Sequence, residues 1–347
     1  MKNPLVSVVM ITYSHEKYIE EAINGVLIQK FGGDIELIIA NDNSPDHTDE
    51  IIQQILKNSS IPENIQIKYT KHPKNIGMMP NFIWALKEAK GKYVAICEGD
   101  DYWIDPQKLQ KQVDFLEENL NIDLVTSNSD IIYFPEKIYK KKIIGSEQFP
   151  ISKDIGSFLW KRGYMAPCTW LSRRNFFLKC IQEKKDLNDA TYLIYAIALT
   201  KGKTFFIDES TAVYRHLEES ASHSKNLLKL VDREIGLFDI EVFLINNYLT
   251  DDNKTSLLQD LKKRHFIILS IYIQQAVDLK AKILKKIFRD YYKSSDIINS
   301  VDKKAFQRDI YNTLKGEKIS LKNKLLFISI IGFNRFCRKS TVNFLFS

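Results

Sequence analysis

Short β-branched, apolar runs alternate with amphipathic helical segments along the first half of the chain, and this alternation constrains the fold most. Val6-Ser7-Val8-Val9-Met10-Ile11-Thr12, Glu36-Leu37-Ile38-Ile39-Ala40, Ile65-Gln66-Ile67-Lys68-Tyr69, Tyr93-Val94-Ala95-Ile96-Cys97 and Leu124-Val125-Thr126-Ser127 read as strands. Between them, residues 16–29 carry Ile19, Ala22, Ile23, Val26 and Leu27 at helical spacing. Further helices are expected at about 48–57 and 80–90. Another opens at Pro106, with Asp105 as N-cap and Leu109, Val113, Phe115 and Leu116 turned inward. The pattern predicts an α/β fold, a mostly parallel sheet with helices on both faces. Residues 130–150 are Lys-rich and read as an irregular excursion at the sheet edge. A helix near 188–200 and a short strand at Thr204-Phe205-Phe206-Ile207 follow, and from about 226 onward the pattern is helical. Two regions are expected: 1–222 as an α/β domain and 223–347 as a helical C-terminal region.

The first, second and fourth strands each end in a polar turn. These are Thr12-Tyr13-Ser14-His15, Asn41-Asp42-Asn43-Ser44-Pro45-Asp46-His47-Thr48, and Glu98-Gly99-Asp100-Asp101-Tyr102-Trp103. In open α/β sheets, ligands bind beyond the carboxyl ends of the strands. Adjacent carboxylates there can hold a hard divalent cation, which in turn holds a diphosphate. Asp is equally at home in turns and helix caps. The chain has no Gly-x-Gly-x-x-Gly and no Gly-x-x-x-x-Gly-Lys-[Ser/Thr], which counts against a dinucleotide fold and a P-loop. A cation on Asp101 is then the available means of neutralising a diphosphate.

These blocks, with Asn75-Ile76-Gly77, Asn81 and the helix-opening Pro106, together resemble glycosyltransferase family 2 over about residues 4–220. The resemblance implies the GT-A fold, inversion at the anomeric carbon and a nucleotide-sugar donor. It implies that Thr12 and Asp42 contact the nucleobase, usually uracil, with Asp42 accepting the ring N–H. Tyr13 and Asn75 fall in the same nucleotide-binding blocks. Asp100 is expected near the ribose and diphosphate, and Asp101 on Mn²⁺ or Mg²⁺. Asp189 fits the family's base, which takes the acceptor hydroxyl's proton, and Asp186 is the runner-up. Asp189 also reads as a plain helix N-cap. In Ala212-Val213-Tyr214-Arg215-His216, the family's His reaches the metal or diphosphate and its Arg pairs with phosphate; His223 is a substitute for His216. Tyr164-Met165-Ala166-Pro167-Cys168-Thr169-Trp170 lines the acceptor side by family position, or is core packing.

The chain departs from the family pattern at Asn41, often an aspartate there, which removes one carboxylate. It lacks a Gln-x-x-Arg-Trp segment and long apolar spans, so transfer of one or a few sugars per encounter is expected. The acceptor implied is a hydroxyl of a cell-surface glycan or lipid-linked oligosaccharide. One rival is a sugar nucleotidyltransferase, disfavoured because residues 8–15 hold no Gly, Lys or Arg. The other is a non-catalytic nucleotide-sugar binding module.

Charge separates the two regions. Residues 301–347 hold ten Lys/Arg against three Asp/Glu, which accounts for the chain's net +7. The balanced remainder argues against a nucleic-acid surface. Leu325–Phe333 is apolar, preceded by Lys322 and Lys324 and followed by Arg335, Arg338 and Lys339. It is short of the ~20 residues that span a bilayer. Residues 322–339 suit peripheral contact with an anionic membrane, although a helical bundle explains the apolar residues equally well. Scattered cysteines (Cys97, Cys168, Cys180, Cys337) and an N-terminus running straight into a strand point to a reduced, cytoplasmic setting.

Overall fold

The computed structural model describes residues 5–58, 60–143, 155–163, 165–184, 186–217, 227–250, 254–262, 264, 265 and 268. The sheet is built around β1 (Val6–Thr12), which lies parallel to β2 (Ile35–Asn41) on one side and β4 (Tyr93–Ile96) on the other. β3 (Ile65–Lys71) extends the parallel array beyond β2. The helices α1 (Ile19–Leu27), α2 (Thr48–Asn58) and α3 (Met78–Glu88) make the crossovers. β1 and β2 are buried along almost their whole length, which is why their sequences read as continuous apolar runs.

Beyond β4 the sheet becomes mixed. β5 (Tyr102–Trp103), α4 (Lys108–Glu118), β6 (Leu124–Tyr133), β7 (Ile138–Lys140), α5 (Ile155–Lys161) and β8 (Leu171–Arg173) come next. They are followed by α6 (Arg174–Glu183), α7 (Ala190–Thr200) and β9 (Thr204–His216). β8 inserts antiparallel between β4 and β6, β9 runs parallel to β6, and β5 pairs antiparallel with β9. The order is β3-β2-β1-β4-β8-β6-β9-β5, with β7 on β6. Because β8 opposes both neighbours, β4 and β6 point the same way. The carboxyl ends of β1 to β4, β6 and β9 therefore share one edge.

Several boundaries differ from the sequence reading. β6 runs on to Tyr133 through Asn128, Ser129 and Asp130, and β9 runs on to His216. These polar residues are buried and paired: Asn128 Nδ2 donates to Asp208 Oδ1 at 3.1 Å, and the Ser127 and Thr211 hydroxyls lie 2.6 Å apart. The expected irregular excursion thus begins as a strand and turns back as β7. α4 starts at Lys108 rather than Pro106, and Asp105 instead accepts from the Gln107 N–H at 2.9 Å.

Trp103 anchors the underside of the site. It is 1% exposed, and its Nε1 donates to the Cys168 carbonyl at 2.7 Å. α1 meets it at Gly25, where a Cβ would lie 2.7 Å from the Trp103 backbone nitrogen. Lys108 is fully buried with its Nζ 4.5 Å from the Trp103 ring, and burial pushes its pKa down to about 7.

The chain divides into two units, Met1–Ser220 and Ala221–Ser347. In the second, α8 (Leu227–Tyr248) carries Glu234 and Glu241 into buried ion pairs. Arg264 Nη2 reaches both Glu241 oxygens at 2.6 Å, and His265 Nδ1 lies 2.8 Å from Glu234. Among the described residues no helix is long and apolar enough to cross a membrane. The segment 322–339 lies outside them.

One buried charge staples three adjacent strands, β1, β2 and β3. Glu36 on β2 accepts from Ser7 on β1, from Lys68 on β3 and from the Lys90 N–H. Burial works to raise its pKa, but the bonds from Lys68, Ser7 and Lys90 outweigh that and lower it. Its stabilisation is therefore complete above the ordinary carboxyl value of 4.5 and is lost as pH falls through the lower folded value. Glu36→Gln is expected to cost about 3 kcal/mol at neutral pH, shrinking in acid. Urea unfolding of both forms across pH checks this, and equal stability at pH 7 would refute it.

Candidate functional site

The crevice opens where the strand order reverses, between β1 and β4, the place where open α/β sheets bind ligands. Backbone bonds lace its rim. The Asp42 N–H donates to the Thr12 carbonyl at 2.9 Å, Gly99 N–H to Ile11 at 2.9 Å, and His72 N–H to Asn41 at 2.9 Å. The loops after β1, β2 and β4 are thereby held side by side, as the sequence predicts.

On the β2 side, Asp42 is 3% exposed. Its Oδ1 accepts from the Ile76 N–H at 2.7 Å and its Oδ2 from the Gly77 N–H at 2.9 Å. Asn75 Oδ1 shares the Gly77 N–H at 3.1 Å. Gly77 sits at φ +94°, a conformation that favours glycine, and so lets the chain turn into α3. Asp42 thus holds the 75–77 loop against the crevice. Asn41 Oδ1 accepts from the Ser44 N–H at 2.8 Å and hydroxyl at 2.7 Å, and its Nδ2 donates to the Tyr69 hydroxyl at 3.0 Å. Tyr69 in turn donates to Asp49 at 2.5 Å. The β1 loop offers the buried Thr12 hydroxyl, which has no partner, and beside it the Tyr13 ring, 45% exposed.

The β4 loop carries three carboxylates within four residues. Asp101 turns inward, is 2% exposed, and accepts the Arg215 N–H on Oδ1 at 2.8 Å. Burial, then the charges of Asp100 and Glu98, push its pKa well above the usual range. Asp100 faces outward, its side chain 21% exposed and Oδ2 3.9 Å from His15 Nε2. The sequence reading places the cation on Asp101 and puts Asp100 beside it. In the structure Asp101 Oδ1 takes the backbone N–H of Arg215 on β9, and Asp100 is the more exposed of the two carboxylates.

Glu98 Oε2 and His15 Nδ1 are buried without partners. Both lie in the polar turns after β1 and β4, where no local pattern separates them from ordinary turn residues. They flank Gly99, where a Cβ would come within 2.8 Å of Thr12 Oγ1 and 2.9 Å of His15 Nδ1. The missing side chain is what lets this loop close on β1. An oxygen-rich rim with orphaned buried acceptors and mutually repelling carboxylates suits a hard cation. Among the described residues, no three His, Cys, Asp or Glu side chains form a complete metal cluster.

The remaining candidates lie on the same edge or next to it. His216 ends β9 opposite Tyr133, ring centroids 5.1 Å apart, one residue from Arg215. Arg215 is 3% exposed, and its guanidinium donates to the Asp100 carbonyl and pairs with Glu21. Asp189 caps α7: Oδ1 accepts from the Tyr192 N–H at 2.9 Å and the Thr191 hydroxyl at 2.8 Å. The Ala190 N–H meets Met79 Sδ at 3.3 Å, which sets this cap beside the first turn of α3. Asp186 is exposed at φ 57°. Met165 and Trp170 are core residues, at most 1% exposed. His223 lies outside the described residues.

The family model described as Glycosyl transferase family 2 matches residues 7–180. The chain belongs to that family. An uncharacterized protein of Mycobacterium tuberculosis is 41% identical over 222 residues, 63% of this chain and 60% of its own length, so the chain spans about three fifths of that relative. The structure of S. aureus TarS 1-349 in complex with UDP-GlcNAc superposes with a TM-score of 0.61 at 18% identity, covering 98% of this chain and 89% of that one. The mannosyltransferase PcManGT of Pyrobaculum calidifontis, in complex with GDP-Man and Mn²⁺, gives 0.56 at 12% identity, covering 90% and 87%. These likenesses show the GT-A type of fold.

Burial, reinforced by the charge of Asp100, pushes Glu98 up to about 8. A raised folded value means stability present below the unfolded carboxyl range and lost as pH rises through the folded one. In EDTA, thermal stability is expected to fall between pH 4.5 and about 8, and Glu98→Gln to flatten that decline. An unchanged slope in Glu98→Gln would count against the buried, strained carboxyl.

Proposed function

We propose that the chain is an inverting, metal-dependent glycosyltransferase. It moves one sugar from a nucleotide-diphosphate donor, a UDP-sugar by family resemblance, to a hydroxyl of a cell-surface glycan or lipid-linked oligosaccharide. One observation carries the reading. At the strand-order reversal, the exposed Tyr13 ring and the partly exposed Asp100 carboxylate stand at strand ends beside a buried, unpartnered Thr12 hydroxyl.

The roles follow from position. Thr12 and Tyr13, with Asp42 and its bound Asn75–Gly77 loop, form the nucleobase and ribose side. Asp42 keeps acceptor capacity beyond its two backbone bonds, since each carboxylate oxygen has two lone pairs. Asp100, beside Asp101, would hold Mn²⁺ or Mg²⁺, with His216 farther along the same edge. That cation supplies charge neutralisation for the departing nucleoside diphosphate. Asp101 keeps the loop in place from beneath. The α7 cap, Asp189, is the base: it takes the acceptor hydroxyl's proton as the oxygen attacks the anomeric carbon opposite the leaving phosphate. Asp186, exposed on the preceding turn, is the alternative base.

The occurrence of Mn²⁺ with GDP-Man in one structural neighbour, and of UDP-GlcNAc in the other, supports this class of donor. The basic, apolar segment 322–339 supports a cytoplasmic protein resting on an anionic membrane, where a lipid-linked acceptor would be presented.

Donor binding and hydrolysis across a panel of nucleotide sugars, in Mn²⁺ or EDTA, test the reading. Metal-dependent turnover of one donor is expected, abolished in Asp100→Asn. In Asp189→Asn, donor affinity should persist while transfer falls by roughly 10²–10⁴-fold. If no donor binds in Mn²⁺, the transferase reading fails. If a donor binds but no acceptor or water is ever used, the chain is a binding module.

A further inference from the structure

Arg215 sits at the meeting point of α1, β9 and the carboxylate loop. Its guanidinium lies between two rings, 4.4 Å from the Tyr102 centroid and 5.1 Å from that of Tyr18. Nη1 donates to the Asp100 carbonyl oxygen at 2.7 Å, and Nη2 pairs with the Glu21 carboxylate. Its own backbone N–H donates to Asp101 Oδ1 at 2.8 Å. One residue therefore grips the carboxylate loop twice, by side chain and by backbone.

We propose that Arg215 is a positioning residue that fixes the direction of the Asp100 carboxylate, with Glu21 on α1 as its anchor. The carbonyl bond sets the peptide plane after Asp100, and the backbone bond sets the side chain of Asp101 that follows. Asp101 N–H also donates to the Glu98 carbonyl at 3.1 Å, which closes the turn from the other side. Asp100 is then left with side-chain rotation as its main freedom. A carboxylate held this way loses less entropy on binding a cation than one on a free loop. The fork of a guanidinium is needed because two acceptors, a carbonyl and a carboxylate, lie at its two ends. An ammonium in the same slot is a single point that cannot reach both. The two tyrosine faces add cation–π contact and keep the guanidinium from swinging into the crevice.

This inference rests on the reading of Asp100 as the cation-holding carboxylate, and its test separates the two. Full-length wild type, Arg215→Lys, Arg215→Met and Glu21→Gln are titrated with Mn²⁺ in the presence of UDP, free Mn²⁺ being followed by electron paramagnetic resonance. UDP binding is also measured in EDTA. Hydrogen exchange of the 98–103 amides gives a readout independent of metal.

Wild type is expected to bind Mn²⁺ with UDP. Arg215→Lys should lose about 10–100-fold in Mn²⁺ affinity, the range for groups that orient metal ligands. It should exchange the 98–103 amides faster while keeping its UDP affinity in EDTA. Glu21→Gln, which keeps the Arg215 guanidinium and weakens only its anchor, should shift both readouts the same way by a smaller factor. If Arg215→Met fails to fold, the other two variants carry the test. Wild-type Mn²⁺ affinity in both Arg215→Lys and Glu21→Gln overturns the proposal. Loss of UDP affinity in EDTA for Arg215→Lys, with Glu21→Gln unaffected, also overturns it in favour of direct phosphate contact. A wild type that binds UDP but no Mn²⁺ removes the role of Asp100 and this inference with it.

Discussion

Everything in the first unit depends on β1 having a parallel neighbour on each side. Parallel strands need crossovers, and each crossover here returns the chain to the same starting edge. The strands then all end at the opposite edge, whatever their loops contain. Because β2 and β4 leave β1 in opposite directions, the loops diverge and a crevice forms without any special sequence at its floor. Backbone bonds from Asp42, Gly99 and His72 across the rim convert that topology into fixed positions.

The carboxylate loop is bought at an electrostatic cost. Glu98, Asp100 and Asp101 crowd one turn, and the two more deeply placed are pushed toward their protonated forms. The protein offsets this with geometry rather than with a nearby lysine. Asp101 receives one backbone N–H, Gly99 permits the close approach to β1, and Trp103 seals the turn from below. The unrelieved strain is concentrated at the crevice, where a cation would release it.

The fold was legible wherever a single segment decided its own structure. Val6–Thr12 and Ile35–Asn41 are apolar because both faces are covered, so their runs declare them. The end of β6 was not legible, because Asn128, Ser129 and Asp130 look like loop and are made strand by β9 partners about 80 residues away. The site divides the same way. The strand-end carboxylates, and Asp189 as a helix cap, could be found from local pattern. The inward turn of Asp101 depends on Arg215, 114 residues later, and no local signal carries it. The guanidinium of Arg215 likewise meets Asp100 and Glu21 only across more than a hundred residues of sequence.

The amide at position 41 has a consequence for which way protons point along the rim. From Ser44 through Asn41 and Tyr69 to Asp49, every hydroxyl or amide donates toward the same terminus, and Lys71 donates into that terminus from the far side at 2.8 Å. Such a chain has polarity, with Asp49 as its sink. A carboxylate in place of Asn41 would make a second sink, and the single phenolic proton of Tyr69 would have to serve both. Asn41, Tyr69 and Asp49 are therefore a matched set. Restoring the family's usual aspartate at 41 alone would reverse one link and leave two acceptors facing each other.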